Sequence, residues 1–243
     1  MVELILAATA TALATGVGAV PVFLLGERAA VLRPALLGAA AGVMAVASVA
    51  GLLMPALDEG STLEAMAGLV AGAAFLLVAR GFLGRRRSHV AAEAVTSRRL
   101  SILVFAVLFV HSLPEGFAIG TAYASDTAGL SLFVIVAIAV QNIPEGTSVA
   151  IPMASAGFGR GTQFWAAVGT SAPQPVGAVI AYLLVEEISG LLPLSFAFAA
   201  GAMLALVIVE LAPESIRTGA RAAAAGATVG AVAMLVLSWA LGV

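Results

Sequence analysis

The chain is built from long runs in which almost nothing is charged. Reading from one cluster of charge, Pro or Gly to the next leaves eight stretches, at about 3–25, 35–57, 62–84, 99–124, 129–157, 162–185, 190–212 and 220–243. A helix needs about 20 apolar residues to cross the hydrocarbon core of a bilayer. Lipid admits only segments whose backbone polar groups are satisfied internally. The expectation is an all-α polytopic membrane protein with eight transmembrane helices, a single domain over 1–243, lodged in the cell membrane. Composition agrees, with 62% hydrophobic and 10% charged residues, where a soluble domain carries roughly a quarter charged. Stretches such as LLGAAAGVMAVAS and AAAAGATVGAVAM add the small residues that let helices approach closely in lipid. The first run has Glu3 and no basic segment before it, unlike a signal peptide, and reads as a span.

All eleven basic residues are Arg, and the eight-span reading sorts them onto one side. Arg28 and Arg33 follow span 1, and Arg80, Arg85, Arg86, Arg87, Arg98 and Arg99 lie at or after the end of span 3. Arg160 follows span 5, and Arg217 and Arg221 follow span 7. The other side holds Glu3, Asp58, Glu59, Glu64, Asp126, Glu186 and Glu187. By the positive-inside rule the arginine side is cytoplasmic, so both termini are extracytoplasmic. The one long connection, 85–98 within RRRSHVAAEAVTSRR, is then a cytoplasmic loop, and its lone His89 is weak evidence for metal binding.

Several function classes drop out. Without Lys there is no Schiff-base photoreceptor, and without Cys there are no disulfides or thiolate ligands. No Gly-rich phosphate loop and no soluble domain are present, so neither a nucleotide nor a nucleic acid is expected as a partner.

What remains to explain is HSLPEG at 111–116 and QNIPEG at 141–146, each deep in an apolar run. A carboxylate in the bilayer costs several kcal/mol unless it is compensated. Within each motif, positions i and i+4 share a helix face, which pairs His111 with Glu115 and Gln141 with Glu145. Pro114 and Pro144 cannot donate hydrogen bonds, which frees the Val110 and Val140 carbonyls and bends the helices. Consecutive spans run antiparallel, so the motifs meet near the midplane, where transporters build ion sites from interrupted helices. One imidazole, two carboxylates and an amide oxygen suit a divalent cation of the zinc, iron or manganese kind. The plainer alternative, polar glue between packed helices, explains one such motif more readily than two.

These motifs resemble the fourth and fifth helices of the zinc- and iron-regulated transporter-like (ZIP) family, above all its prokaryotic branch. AAGVMAVASVAGLLMPAL resembles the family's second helix, GTSAPQPVGAVIAY its sixth and GAMLALVIVELAPES its seventh. The resemblance implies a transport site of His111, Glu115, Gln141 and Glu145 with Met44 as a soft neighbour, Asp58 at the entrance and Glu210 at the exit. It also implies a homodimer and an elevator-like motion. Many relatives hold a second ion beside the first, but the corresponding positions here are the neutral Ser112, Asn142 and Gln174, a weak second site at most. Two carboxylates balance one divalent ion, so one metal per protomer is expected.

The functional expectation is a non-enzymatic carrier whose partners are the lipid bilayer and divalent metal ions. It has no catalytic cofactor. Zinc, iron, manganese or cadmium is its substrate, moved toward the cytoplasm. A metal-selective channel stays open as an alternative. An intramembrane hydrolase is a remote one, because H-E-x-x-H is absent and adjacent helical residues such as His111 and Ser112 point about 100° apart.

Overall fold

The protein is described by a computed structural model over residues 1–91, 97–188 and 190–243, excluding the side chains at 27, 83–91, 97–101 and 103. The described residues form helices: α1 (Val2–Val17), α2 (Val20–Leu25), α3 (Ala29–Ser48), α4 (Met54–Glu59), α5 (Thr62–Ala91), α6 (Ser97–Ala124), α7 (Leu130–Ser155), α8 (Arg160–Thr170), α9 (Pro173–Glu187), α10 (Leu192–Leu206) and α11 (Ala212–Leu241). A short 3-10 turn, Gly26–Arg28, precedes α3. Five-residue π turns at Val49–Leu53 and Val207–Leu211 join α3 to α4 and α10 to α11.

Local chemistry sets several of these boundaries. Ser61 and Glu64 form a capping box at the start of α5, with Ser61 N–H donating to Glu64 Oε2 at 2.8 Å and Glu64 N–H to Ser61 Oγ at 3.2 Å. Prolines occupy the first turns of α2, α9 and α10, where a missing N–H costs nothing. α6 and α7 continue through Pro114 and Pro144 without a break in assignment. Helix α5 extends to Ala91 and α6 starts at Ser97, so part of the expected loop 85–98 is helical. Residues 92–96 and the His89 side chain lie outside the described residues.

Seven helical runs among the described residues are long and apolar enough to cross a membrane. Six coincide with the first six expected spans. The seventh, Leu192–Leu241, is 50 residues long, about 75 Å at 1.5 Å per residue against a hydrocarbon core of about 30 Å. It is broken at Gly219, whose φ of 169° and ψ of 84° leave the helical region. The two parts pack on different partners, α10 on α5 and the rest of α11 on α3.

Glycine contacts show how these neighbours fit. Gly38 and Gly42 of α3 lie against Ala223 and Ala227 of α11, and Gly68 and Gly72 of α5 lie against Ala197 and Phe198 of α10. Gly116 and Gly120 of α6 meet Gln174 and Ala178 of α9, while Gly18 and Gly146 join α1 to α7. Residue numbers rise together in the first three pairs, and in α1 and α7 Thr11 meets Asn142 while Gly18 meets Thr147, so each pair is parallel. A Cβ at Gly42 would stand 2.9 Å from the Ala227 carbonyl carbon, and one at Gly72 2.8 Å from that of Phe198. Backbones touch, as small residues permit in lipid.

Large apolar side chains point outward, among them Leu24, Val31, Leu63, Ile208 and Trp239. Polar ones, His111, Glu115, Gln141, Asn142, Glu145 and Gln174, are buried. That is the reverse of a water-soluble protein and marks a multi-pass membrane protein. The two ends differ as well. Arg33 pairs with Glu214 and Arg80 with Glu210 at one end. At the other, Tyr123 donates to Glu3, and Ser125 and Thr127 donate to Glu59.

Candidate metal site

The short connection 125–129 makes α6 and α7 an antiparallel pair, which brings the two Pro-Glu-Gly motifs side by side. Gln141 Nε2 donates to Glu115 Oε1 at 2.8 Å across the helix pair. Glu115 and Glu145 are both buried on this adjacent helix pair. Two buried carboxylates in a medium of low dielectric need protons or a cation to compensate them. The glycines of the motifs have a separate task. A Cβ on Gly116 would stand 2.7 Å from Gln174 Cα, and one on Gly146 2.8 Å from the Thr15 carbonyl carbon. Each motif thus turns its Glu toward the other and its Gly toward a flanking parallel helix.

That flanking helix supplies the next layer. The run 160–187 is interrupted at Ser171–Ala172, with Pro173 opening α9, and the interruption sets Gln174 in the first turn of α9 beside Glu115. Gln174 Nε2 donates to Glu115 Oε2 at 2.6 Å and to Asn142 Oδ1 at 3.3 Å. Thr11 Oγ1 donates to Gln174 Oε1 at 2.9 Å, and Asn142 Nδ2 donates to the Thr11 carbonyl at 2.7 Å. Ser112 Oγ donates to the Leu108 carbonyl at 3.1 Å. The three neutral residues expected beside the main site therefore do different things. Gln174 braces Glu115, Asn142 braces Gln174, and Ser112 bonds its own helix.

His111 is drawn elsewhere. Its Nε2 stands 3.6 Å from Glu210 Oε2, and Arg80 Nε approaches the same oxygen at 3.7 Å. Glu210 sits in the π turn Val207–Leu211, a feature frequent at functional sites. Pro213 carries no N–H for the carbonyl four residues back. That carbonyl, of Val209, accepts from Arg80 Nη1 at 2.9 Å. A cavity of about 510 Å³, lined by Arg33, Arg80, Glu210, Glu214 and Arg217 among others, reaches from the arginine-bearing end to Glu145. His111 Nδ1, Gln141 Oε1 and Glu145 Oε1 are buried with no hydrogen-bond partner among the described residues. Each can present a lone pair, and an unsatisfied buried polar atom costs about 1–3 kcal/mol. Among the described residues no three His, Cys, Asp or Glu side chains gather closely enough to hold a metal ion by themselves, so an amide oxygen belongs in any such donor set.

Residues 84–238, which include both Pro-Glu-Gly motifs, match the profile of the ZIP zinc transporter family. The chain belongs to this family. It is 32% identical over 241 residues to the zinc transporter GufA of Myxococcus xanthus, covering 94% of this chain and 95% of that one. It is 32% identical to the zinc transporter ZIPB of Bordetella bronchiseptica, covering 94% and 78%. A putative zinc transporter of Arabidopsis thaliana is 35% identical over 94% of this chain, which spans 37% of the plant protein's length.

Of the residues that the ZIP resemblance adds, Met44 is fully buried on α3. Ser48, one turn on, is buried with an Oγ that has no partner among the described residues. Asp58 is exposed on α4 beside Glu59, far along the chain from the motifs and at the acidic end. Glu210 does reach the buried cluster, through His111. Sequence reasoning left out Thr11, Ser48 and Arg80 as site neighbours. A Thr-rich span 1 (ATATALATG) was the available signal for the first. Arg80 was seen only as a topology marker.

Proposed function

We propose that this ZIP-family chain carries divalent transition-metal cations, zinc foremost, across the bilayer toward the cytoplasm. The observation that carries the proposal is the buried trio of acceptors without a partner among the described residues, His111 Nδ1, Gln141 Oε1 and Glu145 Oε1, beside Glu115. Nitrogen and oxygen donors without thiolate suit zinc, iron, manganese and cadmium, and the similarity to proteins named zinc transporters favours zinc among them. His111, Glu115, Gln141 and Glu145 would ligate the ion with Met44 alongside, Asp58 would meet it at the entrance and Glu210 would receive it at the exit. Amide donors surround Glu115 where a second ion would have to sit, which supports one ion per protomer. In this reading the chain crosses the membrane eight times, its 50-residue run supplying two crossings on either side of Gly219. The arginine-bearing end is cytoplasmic and both termini lie outside. The homodimer and the elevator-like movement of α6 and α7 against a scaffold follow from the ZIP resemblance.

The test is zinc uptake into proteoliposomes by Glu115→Gln and Glu145→Gln. Removing one partner of a buried charge pair costs roughly 3–5 kcal/mol, so each variant should lose about a hundredfold or more of its uptake while still inserting. Near-normal uptake by both would sink the site.

A further inference from the structure

Arg80 has no role in the reading above, yet among the described residues it is the arginine that shares a carboxylate with the buried histidine. Glu210 Oε2 lies between His111 Nε2, at 3.6 Å, and Arg80 Nε, at 3.7 Å. One carboxylate thus links the buried cluster to a guanidinium on the wall of the cavity. The guanidinium has a second, independent anchor in the Val209 carbonyl at 2.9 Å, the acceptor that Pro213 leaves open. When Glu210 swings toward a cation, Arg80 therefore stays in place. A guanidinium keeps its charge at all physiological pH and competes permanently for whatever carboxylate it faces.

The other glutamate of the cavity mouth is countered in the same way. Glu214 is paired with Arg33 at 3.0 Å and with Arg217 at 2.8 Å. Glu115 and Glu145, deeper in, have no ion pair with arginine among the described residues. One carboxylate, Glu145, is therefore open to a cation at the buried end of the cavity, and those toward its mouth already face arginine. A conducting site must hold an ion strongly enough to take it up and weakly enough to let it go.

We infer that Arg80 is a tethered cation that competes with the departing divalent ion for Glu210 and so speeds its release from the inner end of the pathway. The inference rests on the transport reading with Glu210 at the exit. It makes Arg80 a positioning residue that acts through Glu210 and does not touch the ion itself.

The experiment compares wild type, Arg80→Gln, Arg80→Lys, Glu210→Gln and the double variant Arg80→Gln/Glu210→Gln. Zinc uptake into proteoliposomes is measured as kcat and KM, and zinc retained by purified protein is measured by equilibrium binding. Arg80→Gln should lower both kcat and KM and tighten retained zinc, each by about two- to fivefold, the range that one partly exposed ion pair spans. Arg80→Lys, which keeps the charge, should restore most of the wild-type kcat. In the Glu210→Gln background the Arg80→Gln change should add nothing further, because its target is gone. A merely structural arginine would give weaker zinc binding, no fall in KM and no rescue by Lys, and that pattern overturns the inference. So does an Arg80→Gln variant that matches wild type. A wild type that neither binds nor carries zinc would instead remove the transport reading and this inference with it.

Discussion

Gly116→Ala tests the tie between helix packing and the buried cluster. The new Cβ would stand 2.7 Å from Gln174 Cα, against about 3.5–4.0 Å for carbon atoms in contact. Neither neighbour is a flexible side-chain tip, so α6 and α9 must part by about 0.8 Å or more to regain ordinary contact. Carried along rigidly, the 2.6 Å bond from Gln174 Nε2 to Glu115 Oε2 would lengthen to about 3.4 Å, outside the usual N–H···O range. Overpacking costs about 1–3 kcal/mol, and a hydrogen bond to a charged group contributes about 1.5–3 kcal/mol. A loss of roughly 2–5 kcal/mol follows, allowing for partial relaxation. For a chain of this size that corresponds to a fall of roughly 4–20 °C in Tm. The assay is thermal unfolding of purified protein in detergent, read beside zinc uptake. Gly161→Ala is the control, because a Cβ there meets nothing within 4 Å and alanine favours the helix. If Gly116→Ala unfolds with the control and transports like it, the close approach of α6 and α9 does not brace Glu115, and the reasoning fails.

Other outcomes follow from the same geometry. The wild type has no Cys, so single cysteines report topology cleanly: an impermeant reagent added outside should label Glu186→Cys and spare Gly161→Cys, and the reverse pattern would invert the transport direction. Gln174→Glu replaces an amide donor 2.6 Å from Glu115 with a third carboxylate, a repulsion of roughly 6 kcal/mol at an effective dielectric of 20. That charge calls for a second cation, so zinc bound per protomer should rise from one toward two. An unchanged stoichiometry would show that charge balance does not set the ion count.

How much was legible in the sequence depended on whether a feature was local. The first six span positions were legible because crossing a bilayer needs only apolar length, which survives without knowing any partner. Glu115 and Glu145 were legible because a doubled Pro-Glu-Gly in lipid demands compensation. Their partners were less so. Helix periodicity paired His111 with Glu115 and Gln141 with Glu145, whereas Gln141 bonds Glu115 across the helix pair and His111 reaches Glu210. Sharing a face permits a contact and does not choose it, since long side chains find nearer partners on neighbouring helices. The Arg80–Glu210 pair joins positions 130 residues apart. It exists because α5 and α10 run parallel with glycines between them, and composition cannot announce such a register. Thr11 was hidden for another reason: its carbonyl is what Asn142 uses, and every residue has one.

The doubling of the motif leaves one asymmetry with a simple origin. α9 lies parallel to α6 and α1 lies parallel to α7, and each contact passes over the glycine of a Pro-Glu-Gly. At the closest approach, α9 places Gln174 over Gly116 and α1 places Thr15 over Gly146. The long amide of Gln174 reaches the neighbouring carboxylate, Glu115. The short hydroxyl of Thr15 instead pairs with Ser171 Oγ at 2.6 Å, and Glu145 Oε1 is left without a partner among the described residues. Glu145 is also the one of the two that lines the cavity. A framework that repeats around α6 and α7 thus yields two unlike carboxylates. Glu115 is held on both oxygens as a fixed wall, and Glu145 is open toward the arginine-bearing end. In the proposed transport reading that division has a use, because a ligand locked by amides would keep the site's shape while one open to the cavity would be free to exchange the ion.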